Sequence, residues 1–395
     1  MAIVKLVEIC EKIGSGATPC GGKEAYCKEG ISLVRSQNIL DFYFLKDGLA
    51  FINDEQARKL SNVEVNSGDV LLNITGDSVA RACLMNGDYL PARVNQHVAI
   101  IRGKANRVLN SYILYYLQWR KDYLLQLASA GATRNALTKT MIEQLELDLP
   151  PLDNQKRVVA ILDSLQSRIQ LNQKINDNLQ QQARALYKSW FVDFEPFGKQ
   201  MPDSWKIGKL KDVLYLRKEV LKAGERKDLR YLPIDTIPMN TFTLTATRPN
   251  EEAQSSLLAF HRDDIIIGAM RVYFHRVIIA PFNGITRSTC FVLTPKDPNY
   301  LAFGLLCCDQ DKSIDFAQQS SKGSTMPYAV WDGGLGELEI AIPPQDIASE
   351  FNRIIMPMIR EIQKSYYETE ILSNIRDTLS PKLMSGEIDV SAILF

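Results

Sequence analysis

The stretch Leu149–Phe197, LPPLDNQKRVVAILDSLQSRIQLNQKINDNLQQQARALYKSWFVDFEPF, lies near mid-chain and returns in altered form at the C-terminus. From Val158, alternating steps of four and three pick out Leu162, Leu165, Ile169, Asn172, Asn176, Leu179, Ala183, Leu186 and Trp190, an unbroken a/d seam. Pro150 and Pro151 precede it, Asp153 stands as an N-cap, and no Gly or Pro intervenes before Pro196. The pattern predicts one helix roughly 50 Å long at 1.5 Å per residue.

Shifted by 193 positions, the proline pair falls on Pro343 and Pro344. The seam falls on Phe351, Ile355, Met358, Ile362, Ser365, Thr369, Leu372, Arg376, Leu379 and Leu383. Asn172 and Asn176 match Ser365 and Thr369, so both helices are polar at one level, a device that fixes coiled-coil register at some cost in stability. We expect the two helices to pack on each other. The competing expectation is that each stripe is buried on its own domain.

The repeat divides the 395 residues into two globular stretches, each followed by a long helix: 1–150, helix 151–197, 198–342, and helix and tail 343–395. Residues 1–150 carry 17 basic and 16 acidic groups and residues 201–342 carry 17 of each, so electrostatics alone does not suggest nucleic acid. The charged opening, MAIVKLVEICEKIG, and the lack of any run of eighteen apolar residues predict a soluble, cytoplasmic chain. Seven cysteines without CxxC spacing and only three histidines (His97, His261, His275) predict a reducing compartment and no zinc site.

Along the first stretch, Gly14–Pro19 is a turn that resembles a phosphate loop only superficially, since Gly22-Lys23 is followed by Glu24 and Ala17 stands where the first glycine should. Short runs at Ile31–Val34, Val70–Ile74 and His97–Ile101 predict a mixed sheet, Ser111–Leu127 a helix, and Leu145–Leu149 a last strand. The second stretch repeats the order. Its opening, Lys209–Val213, answers Lys5–Ile9, Asp264–Ile267 answers Asp69–Leu72, and Cys290–Leu293 answers His97–Ile100. Tyr300–Cys307 answers the helix and Leu338–Ile342 the last strand, while the side chains between these landmarks hardly match. A kept framework with varied loops predicts two readers of different targets, the alternative being drift at positions of no importance.

No constellation for catalysis is present: no HExxH, no GxSxG, no paired Cys/His ligands and no GxGxxG between strand and helix. Neither Pro-Pro pair carries the flanking acidic or amide and aromatic groups that hold a flipped base, and both are helix starts. Side chains suited to base edges do stand in the predicted loops. In the first stretch they are Arg35, Gln37, Asn38, Arg81, Asn95, Gln96, Thr133, Arg134, Asn135 and Lys139. In the second they are Arg248, Arg271, Tyr273, Arg287, Ser288, Lys322, Ser324 and Tyr328. Arg134 and Arg271 are the foremost candidates, and residues 206–230, with nine basic and four acidic groups, are a candidate phosphate contact.

These residues resemble the DNA specificity subunit of type I restriction-modification systems. The resemblance spans the chain and is most specific at Leu149–Arg157, Ile169–Asn176, Ala185–Phe194, Leu379–Ile388 and the Gly14–Pro19 turn. It implies an α+β fold in which two similar target recognition domains with mixed β-sheets are separated by two long helices forming an antiparallel coiled coil, an internal pseudo-two-fold repeat. It further implies a chain with no catalysis and no cofactor of its own, each domain reading one half of a bipartite site. The implied partners are two methyltransferase subunits, which use S-adenosylmethionine on adenine, and restriction subunits driven by ATP and Mg. Asp193–Phe197 is either a helix stop or a docking point for a partner. The alternatives are a coiled-coil scaffold or decoy that binds the methyltransferase without reading DNA, and a fused enzyme, for which the repeat leaves no room.

Overall fold

The computed structural model describes residues 2–19, 21–129, 135–242, 244, 246–323 and 325–391. The chain forms two compact units, Met1–Arg168 with Leu372–Phe395, and Ile169–Ile371. The unit borders fall inside the two long helices, Leu152–Phe191 and Gln345–Met384, so each unit owns a piece of both.

In the first unit, Cys10–Ser15, Val98–Gly103, Val70–Asn73 and Ala82–Leu84 lie side by side in that order, antiparallel throughout. A second sheet runs Ala50–Ile52, Ile31–Val34, Ala92–Val94, Glu64–Val65, and its middle pair is parallel. Val70–Asn73 is buried at every residue because the second sheet covers one face and the helix Asn110–Trp119 the other, which is why it reads as continuous apolar sequence without alternation.

The second unit repeats this wiring. Leu214–Leu216, Cys290–Pro295, Ile265–Gly268 and Val277–Ile279 form the antiparallel sheet. In the other sheet Gly284–Arg287 again pairs with a parallel neighbour, Arg230–Tyr231, and an antiparallel one, Leu257–Phe260. The edge differs: Ala50–Ile52 pairs with the first unit's parallel strand, whereas Val220–Leu221 pairs with Leu257–Phe260. The landmark aspartates Asp69 and Asp264 are both buried and both held by arginine, but Arg102 and Arg217 reach them from different strands. A buried carboxylate needs a charged partner, and which strand provides it is open to change.

Each opening landmark is a strand running into one helical turn: Ala2–Lys5 then Leu6–Ile9, and Lys206–Lys209 then Leu210–Val213. The strands pair with Glu146–Leu149 and Glu339–Ile342 in two-stranded ribbons. The helix expected over Ser111–Leu127 is two, Asn110–Trp119 and Lys121–Ser129, divided at Arg120, whose guanidinium covers the rings of Trp119 and Tyr123.

Within each unit the long helices run antiparallel. In the second, Asn172 Nδ2 donates to Glu368 Oε2 at 3.0 Å and to Thr369 Oγ1 at 3.3 Å, and the rings of Phe191 and Phe351 meet at 4.7 Å. In the first, Arg376 Nη1 donates to Gln166 Oε1 at 2.7 Å, and Val158 and Leu162 share a core with Leu383 and Met384. The strict heptad seam needs correction. Leu162, Asn172, Asn176, Ile355, Ile362 and Ser365 are buried, but Leu165, Ile169, Leu179, Met358, Thr369 and Leu372 are only half-buried. Gln166, Gln180, Tyr187 and Phe191 take the buried places beside Leu165, Leu179, Leu186 and Trp190. The physical reason is that each helix also lies on its own domain: Tyr187 and Phe191 pack with Trp205 and Phe303, and Gln180 Oε1 accepts the Phe242 amide at 2.6 Å. A helix buried on two sides follows its own 3.6-residue period rather than a 3.5-residue seam.

The first helix begins at Leu152, so Asp153 is inside its first turn rather than capping it. Gln155, fully buried, joins the helix start to its domain: Oε1 accepts the Leu109 amide, and Nε2 donates to the Arg107 and Pro150 carbonyls.

Candidate nucleic-acid interface

In the first unit the candidate loops converge. Gly16 allows it: a Cβ there would lie 2.0 Å from the Val94 carbonyl oxygen. The turn after Cys10–Ser15 therefore lies flat on the strand that leads to Asn95 and Gln96, with Ala17 N bonded to the Val94 carbonyl. From it, Thr18 Oγ1 hydrogen-bonds Gln96 Oε1. Gln96 Nε2 lies 3.0 Å from His97 Nε2, and His97 Nδ1 lies 2.6 Å from Thr75 Oγ1. The chain is satisfied when Gln96 donates to Nε2 and the imidazole carries its proton on Nδ1. Thr75 pairs with Ala136, and the Gly76 amide donates to the Asn135 carbonyl at 3.2 Å, which brings Asn135 to the same surface. Asn73 Nδ2 ties in the third loop through the Ser36 carbonyl and Ser78 Oγ.

Of the first-unit candidates, Gln96, Asn135 and Lys139 are exposed, Lys139 lying 3.5 Å from Glu143, and Arg81 is half-buried with no side-chain hydrogen bond among the described residues. Asn95 is nearly buried and its Oδ1 accepts the His97 amide, so it shapes the loop. Asn38 is corrected outright: it is fully buried and its amide is spent on the Leu45 and Asp47 carbonyls. Arg35 and Gln37 both donate to the Gly48 carbonyl, at 2.7 and 3.0 Å, and brace the same loop. Thr133, Arg134 and Ser324 lie outside the described residues. His97, Thr18 and Thr75 were not among the sequence candidates; the run of three polar residues Asn95-Gln96-His97 opening an apolar strand was the available signal.

In the second unit, Lys322 and Tyr328 exchange two backbone hydrogen bonds of 2.9 Å, and Arg271 N donates to the Pro327 carbonyl at 2.8 Å. Arg271, Tyr273, Lys322 and Tyr328 thus share one exposed surface. Arg271 and His275 both hold left-handed backbone, at φ 50°, on either side of the single turn Val272–Phe274. Arg287 and Ser288 are exposed at the end of Gly284–Arg287, with Ser288 N on the Ser256 carbonyl. Arg248 is corrected: its guanidinium is taken by Asp235 at 2.6 Å and Glu252 at 3.3 Å. The basic stretch 206–230 is likewise mostly neutralised. Lys209 and Lys211 share Glu337, Arg217 meets Asp264, Arg226 meets Asp228 and Arg230 meets Glu370. Clustering in sequence did not reveal the carboxylates Glu337, Asp264 and Glu370, which the fold brings in from a turn, a loop and the second long helix.

Among the described residues no group of three or more His, Cys, Asp or Glu is placed to hold a metal, and no helix is long and apolar enough to cross a membrane. Burial pushes the Cys10 thiol up to about 12 and the Cys290 and Cys307 thiols up to about 11, which suits core packing and not thiolate chemistry.

Residues 1–181 match the family model for the type I restriction modification DNA specificity domain. The type I restriction enzyme MjaIX specificity subunit of Methanocaldococcus jannaschii is 23% identical over 99% of this chain and 94% of its own length. The HindI specificity subunit of Haemophilus influenzae is 28% identical over 42% of this chain and 36% of its own. The crystal structure of a type I restriction-modification S subunit from M. genitalium superposes with a TM-score of 0.57 at 13% identity, covering 97% of this chain and 96% of that one, and shares the fold. Residues 1–181 thus carry a type I restriction modification DNA specificity domain, and nearly the whole chain is similar to a type I specificity subunit.

Proposed function

We propose that residues 1–150 and 198–342 each read one half of a bipartite DNA site, with the helices of 151–197 and 343–395 setting the unread gap between the halves. The observation that carries this reading is the pairing of a strand order shared in all but one edge strand, parallel pair included, with two loop surfaces of unlike side chains. Like frameworks with unlike loops suit two targets of the same class. A continuous 40-residue helix, about 60 Å at 1.5 Å per residue, is long enough to span more than one helical repeat of DNA.

In this proposal the chain carries out no catalysis and binds no cofactor. Two methyltransferase subunits bring S-adenosylmethionine and methylate adenine, restriction subunits bring ATP and Mg, and the assembly works in the cytoplasm. The near-neutral chain leaves much of the phosphate contact to those partners. The test is base-resolution mapping of methylated adenine in the host genome with and without the gene. Loss of one split motif, two short specified blocks about a fixed gap, is expected on deletion. An unchanged methylome with the methyltransferase expressed sinks the reading and favours a scaffold or decoy.

A further inference from the structure

The surface of the second unit holds an apolar patch that its core does not require. Met326, Tyr328 and Tyr273 are 51%, 47% and 45% exposed, although Ala269, Val272 and Ala329 beside them are buried. The backbone beneath is pinned: Met270 bridges Tyr328, Ala329 N donates to the Ala269 carbonyl, and Arg271 N to the Pro327 carbonyl. These side chains are therefore presented on a fixed frame. Contiguous exposed apolar area on a soluble protein marks a surface that something covers.

Charge says what covers it. Residues 265–296 and 316–331, which supply the patch and its supports, contain no Asp or Glu, while Arg271 and Lys322 flank it. The exposed carboxylate of Asp311 lies 3.5 Å from His275, on the far side of the Val272–Phe274 turn from Arg271, so the charges that flank the patch itself are cationic, and such a surface suits a polyanion. On the major-groove edge of DNA the one apolar group is the thymine C5-methyl. The equivalent surface of the first unit presents the hydroxyl, amide and imidazole chain of Thr18, Gln96, His97 and Thr75, suited to donors and acceptors.

We propose that the two readers use different chemistry, the second recognising thymine methyl groups through Met326, Tyr328 and Tyr273, the first reading hydrogen-bonding edges. This rests on the DNA-reading function proposed above. The test uses the full chain with a methyltransferase subunit and duplexes of the mapped motif in which each thymine is replaced in turn by deoxyuridine, which removes the methyl and leaves base pairing intact. Binding is expected to weaken about fourfold at each contacted position, the ratio for one methyl-sized group at about 0.8 kcal/mol. The loss should fall only in the half-site that Arg271→Ala relaxes, and it should vanish in Met326→Ala or Tyr328→Ala, exposed positions where truncation leaves the core untouched. A half-site without thymine, deoxyuridine without effect, or an effect that persists in both variants overturns the methyl proposal while sequence discrimination stands. Loss of all discrimination between sequences in the unmodified protein instead overturns the DNA-reading function itself.

Discussion

Arg184 of the first long helix and Asp309, which ends the helix Leu301–Cys308, are joined by two hydrogen bonds of 2.6 and 3.1 Å. Asp309 is sealed from solvent, so the pair is what makes its charge tolerable where the helix meets its domain. Arg184→Ala leaves that carboxylate buried without its main partner, and a loss of about 3 kcal/mol is expected. Thermal unfolding of the second unit reads this directly, and a shift no larger than that of an exposed arginine would refute it.

His275 meets the same carboxylate, Nε2 lying 3.2 Å from Oδ1, with Nδ1 3.5 Å from Asp311. The Asp309 hydrogen bond, opposed by burial, raises the imidazole above its ordinary 6.5. A raised folded value means that protonated His275 stabilises the fold fully below about pH 6.5 and that this contribution is lost as the pH climbs through the raised value. The stability difference between the natural protein and His275→Gln should therefore shrink from pH 6 to pH 8. A difference constant over that range would exclude the linkage.

Arg271 and Arg248 were equal candidates by residue type and are unequal in place. Arg271→Ala is expected to relax one half-site by roughly 1 to 3 kcal/mol if it pairs with guanine. Arg248→Ala, already committed to Asp235 and Glu252, should leave every half-site unchanged. Uniform weakening on all sequences in Arg271→Ala would identify a phosphate contact instead.

Inserting seven residues at matched places in both long helices should lengthen the unread gap and leave both half-sites as they were. Methylation mapping in a host carrying the insertion reads the gap, and an unchanged gap removes the helices from any role as a ruler.

Gln155→Leu should cost about 2 to 3 kcal/mol by leaving the Leu109 amide and two carbonyls unpaired at the start of the helix. Denaturant unfolding of the first unit measures it, and a cost below 0.5 kcal/mol would show that water replaces the amide.

The framework was legible because it obeys periodicity. The proline pairs, the two amphipathic helices and the apolar runs at Val70 and Ile265 each stand on a local rule. The seam drifted because Tyr187 and Phe191 are claimed by a domain whose packing no helix pattern announces. The site was less legible. Asn38 and Arg248 have the residue types of base readers, but their partners, the Leu45 carbonyl and Asp235, are brought in by folding. Thr18, Thr75 and His97 lie far apart in sequence and meet only across strands.

Arg271 sits at φ 50°, where an L side chain costs about 1 kcal/mol and glycine costs none. Stability alone would favour Arg271→Gly, which should unfold at a higher temperature. The glycine variant would lose the guanidinium from the surface as it gained that stability. If the proposed contact with DNA holds, Arg271 is thus a place where heat resistance and target reading pull in opposite directions.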